Sequence, residues 1–141
     1  MILLLDTNVV SELMKPDCDE AVYRFVARQP APSLFLPALV AAELRYGLLK
    51  MLLGARRLRL EGALETLLNS GFRKRMFVFD DLCARGYAIA RTRREAAGRR
   101  TGMIDALIGG MALAHGATLV TLNTLDFDGY GLVLVNPWLV A

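Results

Sequence analysis

The chain has 141 residues, 55% of them apolar, with mean hydropathy +0.38, and carries 17 lysines and arginines against 14 aspartates and glutamates. That length suits a single domain over 1–141 with a three-layer core and is too short for two independent ones. The apolar runs fall well short of the ~18 residues that a membrane-spanning helix needs, and no basic segment precedes the first of them, so the reading is of a protein with no membrane span and no secretory signal, expected in the cytoplasm.

The apolar excess asks for a thoroughly buried sheet or a sizeable apolar interface with a partner. Two cysteines, Cys18 and Cys83, have neither metal-ligand spacing nor the density of a disulfide framework, so free thiols are expected.

In chain order, Ile2, Leu3, Leu4 and Leu5 form an unbroken apolar run, the pattern of a central strand covered by helices on both faces. Asp6 follows at once, and Thr7 and Asn8 are residue types that start helices, here one carrying Val9, Val10 and Leu13. A short amphipathic helix over 21–27 ends at Pro30 and Pro32. A strand over 34–36 leads to a helix over 37–53 opened by Pro37 and closed by Gly54, then a helix over 56–68 closed by Asn69, Ser70 and Gly71. A third strand covers 76–79, with Asp80 and Asp81 capping a helix to about residue 97. Thr101 caps a helix through His115, Gly116 closes it, and strands over 118–121 and 132–135 finish the chain. Strands alternating with helices predict βαβ units and a parallel sheet.

Four places carry acids where a purely structural role is strained. Asp6 stands just beyond the carboxyl end of a strand, where open α/β sheets bind ligands, although a simple helix cap also accounts for it. Glu43 lies within the apolar stripe of Leu36, Leu39, Val40, Leu44, Leu48 and Met51, with no cation three or four residues away, unless it reaches water at the stripe's edge. Asp105 is the only charge between Arg100 and His115 in an almost wholly apolar helix. A position near the helix start stabilises it by roughly 0.3–1 kcal/mol, less than the several kcal/mol that burial of an unpaired charge costs. Asn123, Asp126 and Asp128 crowd the end of the next strand. Turn chemistry explains Asp128, and competes with a ligand role for Asn123 and Asp126.

Convergence of Asp6, Glu43, Asp105 and the Asn123/Asp126 loop at one edge of the sheet would make a hard-oxygen site for Mg²⁺ or Mn²⁺, cations held by one or two carboxylates, waters and substrate phosphate. Such a metal activates water for attack on phosphorus. Without those acids the rest of the chain is strongly basic and mostly arginine, in three clusters: Arg56, Arg57 and Arg59; Arg73, Lys74 and Arg75; Arg91, Arg93, Arg94, Arg99 and Arg100. Any one cluster suits a solvated helix face; together they point to a polyanionic partner. His115 reads as a cation at a helix end, and Trp138 as packing.

The order LLLDTNVVSE, AELRYG, IDALIGGMALAHGATLVTLNTLDFDG and VNPW, spread over nearly the whole chain, resembles the PIN domain, specifically the VapC/FitB-type toxin ribonucleases of toxin–antitoxin pairs. The resemblance implies a three-layer α/β/α domain around a mostly parallel sheet of about five strands and a Mg²⁺-dependent endoribonuclease. It makes Asp6 and Asp105 the metal-binding pair, Glu43 the third acid and the TLNTLDF loop the fourth. Relatives often have Asp where Asn123 stands, which leaves Asn123 and Asp126 as alternatives. It places Thr7, Asn8 and Ser11 along the pocket, and Arg45 is a candidate for substrate or antitoxin contact. A homodimer and a small VapB-like antitoxin covering the site are also implied.

Two rivals stand beside this reading. One is another metal-dependent phosphohydrolase, which lacks support because the DxDx[TV] signature after strand one is missing. The other is a binding module: a receiver-like protein, disfavoured by the lack of any lysine after Lys74, or an inactive PIN fold.

Overall fold

A computed structural model describes residues 1–140. Five short parallel strands, β1 (Leu3–Leu5), β2 (Leu34–Pro37), β3 (Met76–Phe77), β4 (Thr118–Val120) and β5 (Leu134–Val135), lie in the order β3-β2-β1-β4-β5. The most apolar run is therefore the middle strand. Leu3, Leu4 and Leu5 pair with Thr118, Leu119 and Val120, and Leu3 with Leu34 on the other side. All three leucines are buried, each contributing about 1.5–3 kcal/mol through loss of water contact.

The helices are α1 (Thr7–Leu13), α2 (Glu20–Arg28), α3 (Ala38–Lys50), α4 (Ala55–Thr66), α5 (Asp81–Ala96), α6 (Met103–Ala114) and α7 (Thr124–Phe127). Parallel crossovers are right-handed, so the direction of travel across the sheet decides which face each helix covers. The chain steps from β1 to β2 to β3 in one direction, putting α1 to α4 on one face. It then returns past β1 to β4 and on to β5, putting α5 to α7 on the other. The contacts agree: α1 packs on α2 and α3, α3 on α4, and α5 on α6. Direction reverses between β1 and β4, and the crevice beyond their carboxyl ends is open to both layers.

The α5–α6 seam needs two glycines. A Cβ on Gly110 would stand 2.5 Å from the Tyr87 backbone, and one on Gly86 would run into the Gly110 carbonyl oxygen. Gly110 and Gly86 face each other across the seam, while a Cβ on Gly109 would meet the Tyr130 ring at 3.1 Å.

Several boundaries differ from expectation. The helix predicted over 37–53 stops at Lys50, because Met51 is extended, and Gly54 opens α4 instead of closing α3. That turn leaves Leu52 92% and Leu53 79% exposed. The third strand is only two residues long; Val78 and Phe79 are exposed and pair with nothing in the sheet. Thr101 does not cap α6: Gly102 precedes the helix, no side chain caps it, and the Thr101 hydroxyl is buried without a partner. The turn after β4 contains α7, a single helical turn too short to leave a periodic signal. No helix among the described residues is long and apolar enough to cross a membrane.

Candidate active site

Where β1 ends, Asp6 is both a helix cap and a buried acid. One carboxylate oxygen accepts the Thr7 N–H at 2.8 Å; the other accepts the Thr121 hydroxyl at 2.8 Å and the Asn8 amide at 3.2 Å. Asn8 in turn accepts the Leu122 N–H at 3.0 Å, which ties the ends of β1 and β4 together. Hydrogen bonds of this kind favour the ionised form, yet burial outweighs them and pushes the Asp6 carboxyl up from its ordinary range, with Glu43 adding repulsion. Thr121 was not among the residues expected to matter. It is a fully buried hydroxyl that gives its proton to Asp6 and accepts the Asn123 N–H at 3.0 Å.

Glu43 comes from α3, the other side of the sheet from α6. Val40, Leu44 and Leu48 bury the apolar stripe, and Glu43 is half-buried beside them. Its carboxylate accepts the Thr7 hydroxyl at 2.6 Å, so Thr7 binds Asp6 through its N–H and Glu43 through its O–H. Asp105 sits in the first turn of α6, folded back over Gly102, where a Cβ would meet its carboxylate at 3.4 Å. Burial, then repulsion from Asp6, Asp126 and Glu43, pushes Asp105 up to about 6, and Arg94 opposes the shift.

The acids expected to converge therefore share one electrostatic neighbourhood at the β1/β4 crevice. Asp126 on α7 is the member of the fourth locus whose charge bears on Asp105; Asn123 is exposed, with no cap bond from its side chain. As the side chains stand, no three Asp, Glu, His or Cys groups among the described residues converge on one point suited to an ion. Mg²⁺ asks for less: one or two carboxylates, the remaining positions going to water and phosphate oxygens. Hard oxygen donors in mutual repulsion, with no buried lysine among them, match that donor set.

The arginine clusters are not uniform. Arg57 bonds Glu61 at 2.6 Å and the Met51 carbonyl at 3.2 Å. Arg75 donates to the carbonyls of Ala31, Leu34 and Gly71. Arg94 is buried, donates to the carbonyls of Arg100 (2.5 Å), Leu125 (3.1 Å) and Asp128 (2.5 Å), and covers the Tyr130 ring at 5.2 Å. Arg91 and Arg99 pair with Glu95 and Asp128. Arg75 and Arg94 thus brace the fold, donating to carbonyls that only the tertiary structure brings close, whereas Arg57 and Arg91 make local pairs one helical turn apart and Arg99 an exposed pair. Arg45 pairs with Glu65 at 2.5 Å, joining α3 to α4, and lines a groove that Glu43 does not share. Ser11 is exposed in a groove with Thr7 and Glu43.

His115 does end α6, and Gly116 follows with φ +59°. Its ring also stacks on Phe77 at 3.7 Å, and Phe77 on Phe35 at 4.5 Å, a packing role that its position alone did not reveal. Trp138 packs against the core, and both cysteines are free thiols.

Comparison with known proteins agrees with this fold. The chain is 37% identical to "VapC ribonuclease Y4jK" of Sinorhizobium fredii over 136 residues, 96% of this chain and 97% of that one. It is 32% identical to "Toxin FitB" of Neisseria gonorrhoeae, over 96% of this chain and 98% of that one. The solved structure of FitAB bound to an IR36 DNA fragment superposes with a TM-score of 0.91 at 29% identity, covering 99% of this chain and 98% of that chain. The family model described as "PIN domain" matches residues 3–130, which take in β1 through α7 and all four acids, and the chain accordingly belongs to the PIN domain family.

Proposed function

We propose that the chain is a Mg²⁺-dependent endoribonuclease, with Mn²⁺ able to substitute, and the toxin of a toxin–antitoxin pair. The observation that carries the reading is the set of four acids, Asp6, Glu43, Asp105 and Asp126, drawn from four segments: Thr7 bridges Asp6 and Glu43, and the charges of Asp6, Asp126 and Glu43 all bear on Asp105 at one end of the sheet. Asp6 and Asp105 are the direct ligands in this reading, with Glu43 and Asp126 acting on bound water and Asn123 offering an amide oxygen at the rim. The cation would supply a polarised phosphoryl group and a water of lowered pKa.

The chain's own part is orientation. Thr121, Asn8 and the Thr7 N–H fix the Asp6 carboxylate, and the Thr7 hydroxyl aims Glu43. Arg94 braces the segment that carries Asp126 through the Leu125 and Asp128 carbonyls. A relative named as a VapC ribonuclease supports RNA as substrate, and one named as a FitB toxin supports the toxin role. Solved complexes named FitAB and VapBC support a small antitoxin as partner. Exposed Leu49, Leu52, Leu53 and Leu58 around the α3–α4 turn support a homodimer, and an RNA substrate is in keeping with the cytoplasmic setting proposed with it.

The test is cleavage of RNA by purified chain with Mg²⁺ or Mn²⁺ added back after chelation. Cleavage should need the cation, and Asp105→Asn should lower it by at least about 100-fold, since the lost stabilisation is several kcal/mol. Full activity in chelator, or in the variant, would overturn the reading.

A further inference from the structure

A groove of about 590 Å³ runs between α1, α3 and α4, and Thr7, Ser11 and Glu43 of the candidate site line it. Alongside them stand Lys15, Arg56 and Arg59. From Glu43 to Leu48, both in the lining, α3 advances about 7.5 Å, and Met51 carries the lining further, so the groove leads away from the acids by at least that length. Leu44, Leu48, Met51 and Leu60 give it an apolar wall.

The two arginines are placed for something other than their helix. α4 opens without a capping side chain and without an acid in its first turn, and cations at that end oppose the helix dipole. Arg57, between them, is used internally by Glu61 and the Met51 carbonyl, whereas Arg56 and Arg59 are exposed in the groove. Lys15 is partly engaged by Glu12 at 3.1 Å, and the groove's acids are Glu43, at the candidate site, and Asp17. Of the three arginine clusters, this is the one whose members share a cavity with the candidate active site.

We infer that this groove holds the single-stranded RNA flanking the scissile phosphate, with Arg56 and Arg59 binding backbone phosphates while the Leu44–Leu48–Met51–Leu60 wall takes the face of a base or ribose. The inference rests on the ribonuclease reading above and adds where the strand lies. Single-strand sites pair a cationic groove with side chains that take the faces of bases, most often aromatic; here the aliphatic wall stands in that place, and arginine forks suit phosphate.

The test is equilibrium binding of the full chain to a fluorescent 20-nucleotide mixed-sequence oligoribonucleotide, in Ca²⁺ to suppress cleavage, across a salt series. Each single-strand phosphate contact contributes about 0.7 to the slope of log K against log salt. Arg56→Ala/Arg59→Ala should flatten the slope by about 1.4 and weaken binding at least tenfold at ~0.1 M salt, while Arg56→Lys/Arg59→Lys keeps most of the slope. The control Arg24→Ala/Arg85→Ala removes the same charge outside the groove and should leave the slope as it is. An unchanged slope in the alanine groove variant, or an equal loss in the control, would overturn the groove assignment, and lost affinity for a co-expressed partner protein with unchanged RNA binding would give the groove to that protein instead. Failure of the unmodified chain to bind or cleave any RNA would overturn the ribonuclease reading itself.

Discussion

Asp6, directly after β1, and Asp80, three residues after β3, are both N-cap residues and meet opposite fates. Each follows a strand and caps the helix after it: Asp6 accepts the Thr7 N–H at 2.8 Å, and Asp80 the Cys83 N–H at 3.0 Å. Asp80, beyond the edge strand β3, is exposed, and the Cys83 N–H holds its carboxyl below the ordinary range. Asp6, beyond the central strand β1, is 5% exposed, and burial pushes it above that range in spite of three hydrogen bonds. Both residues start a helix; the position of the preceding strand in the sheet differs. At the β1/β4 reversal both helical layers deliver acids to one crevice, and that is where the proposed chemistry puts Asp6 to use.

The largest expected contrast is in catalysis. Asp6→Asn should lower metal-dependent RNA cleavage by at least about 100-fold, while Asp80→Asn stays within about twofold of the unmodified chain in the same assay. Equal losses would mean that the two caps do not differ as described. A smaller effect is expected at the second layer of the site. Thr121→Val keeps the side-chain shape and removes the hydroxyl proton given to Asp6, an interaction with a charged group worth about 1.5–3 kcal/mol. Cleavage should fall about tenfold, with kcat carrying more of the loss than KM; a pure KM change would assign Thr121 to packing.

Much of this contrast is readable from residues alone, and the unread part has a common cause. The run Leu3–Leu5 followed by Asp6 identifies a central strand, because only a doubly covered strand is uniformly apolar. Glu43 and Asp105 stand out as charges that break apolar helical faces. Thr121 does not stand out, since a hydroxyl at a strand end is unremarkable until Asp6 arrives from 115 residues away. Arg94 reads as one solvated arginine among several, and its burial depends on carbonyls of Leu125 and Asp128 that no local pattern assigns to it. Thr101 misleads for the opposite reason: its residue type suits a cap, but the chain opens α6 at Gly102, leaving room for Asp105 to fold back. Periodicity reports what a residue's neighbours in sequence require, and these roles come from partners that are remote in it.

The crevice acids repel one another, a divalent cation would join them, and thermal unfolding against pH tests this without any substrate. Asp105, pushed up to about 6, keeps in the folded state a proton that the unfolded chain has already released. Its contribution to stability therefore falls as pH rises from the ordinary carboxylate range through about 6, and the loss is complete above that. In metal-free protein, Asp105→Asn should melt about 2–5 °C above the unmodified chain at pH ~7, and the gap should close toward pH ~4. Added Mg²⁺ should raise the melting temperature of the unmodified chain and not that of the variant. A gap independent of pH, or a variant that Mg²⁺ stabilises equally, would contradict the account.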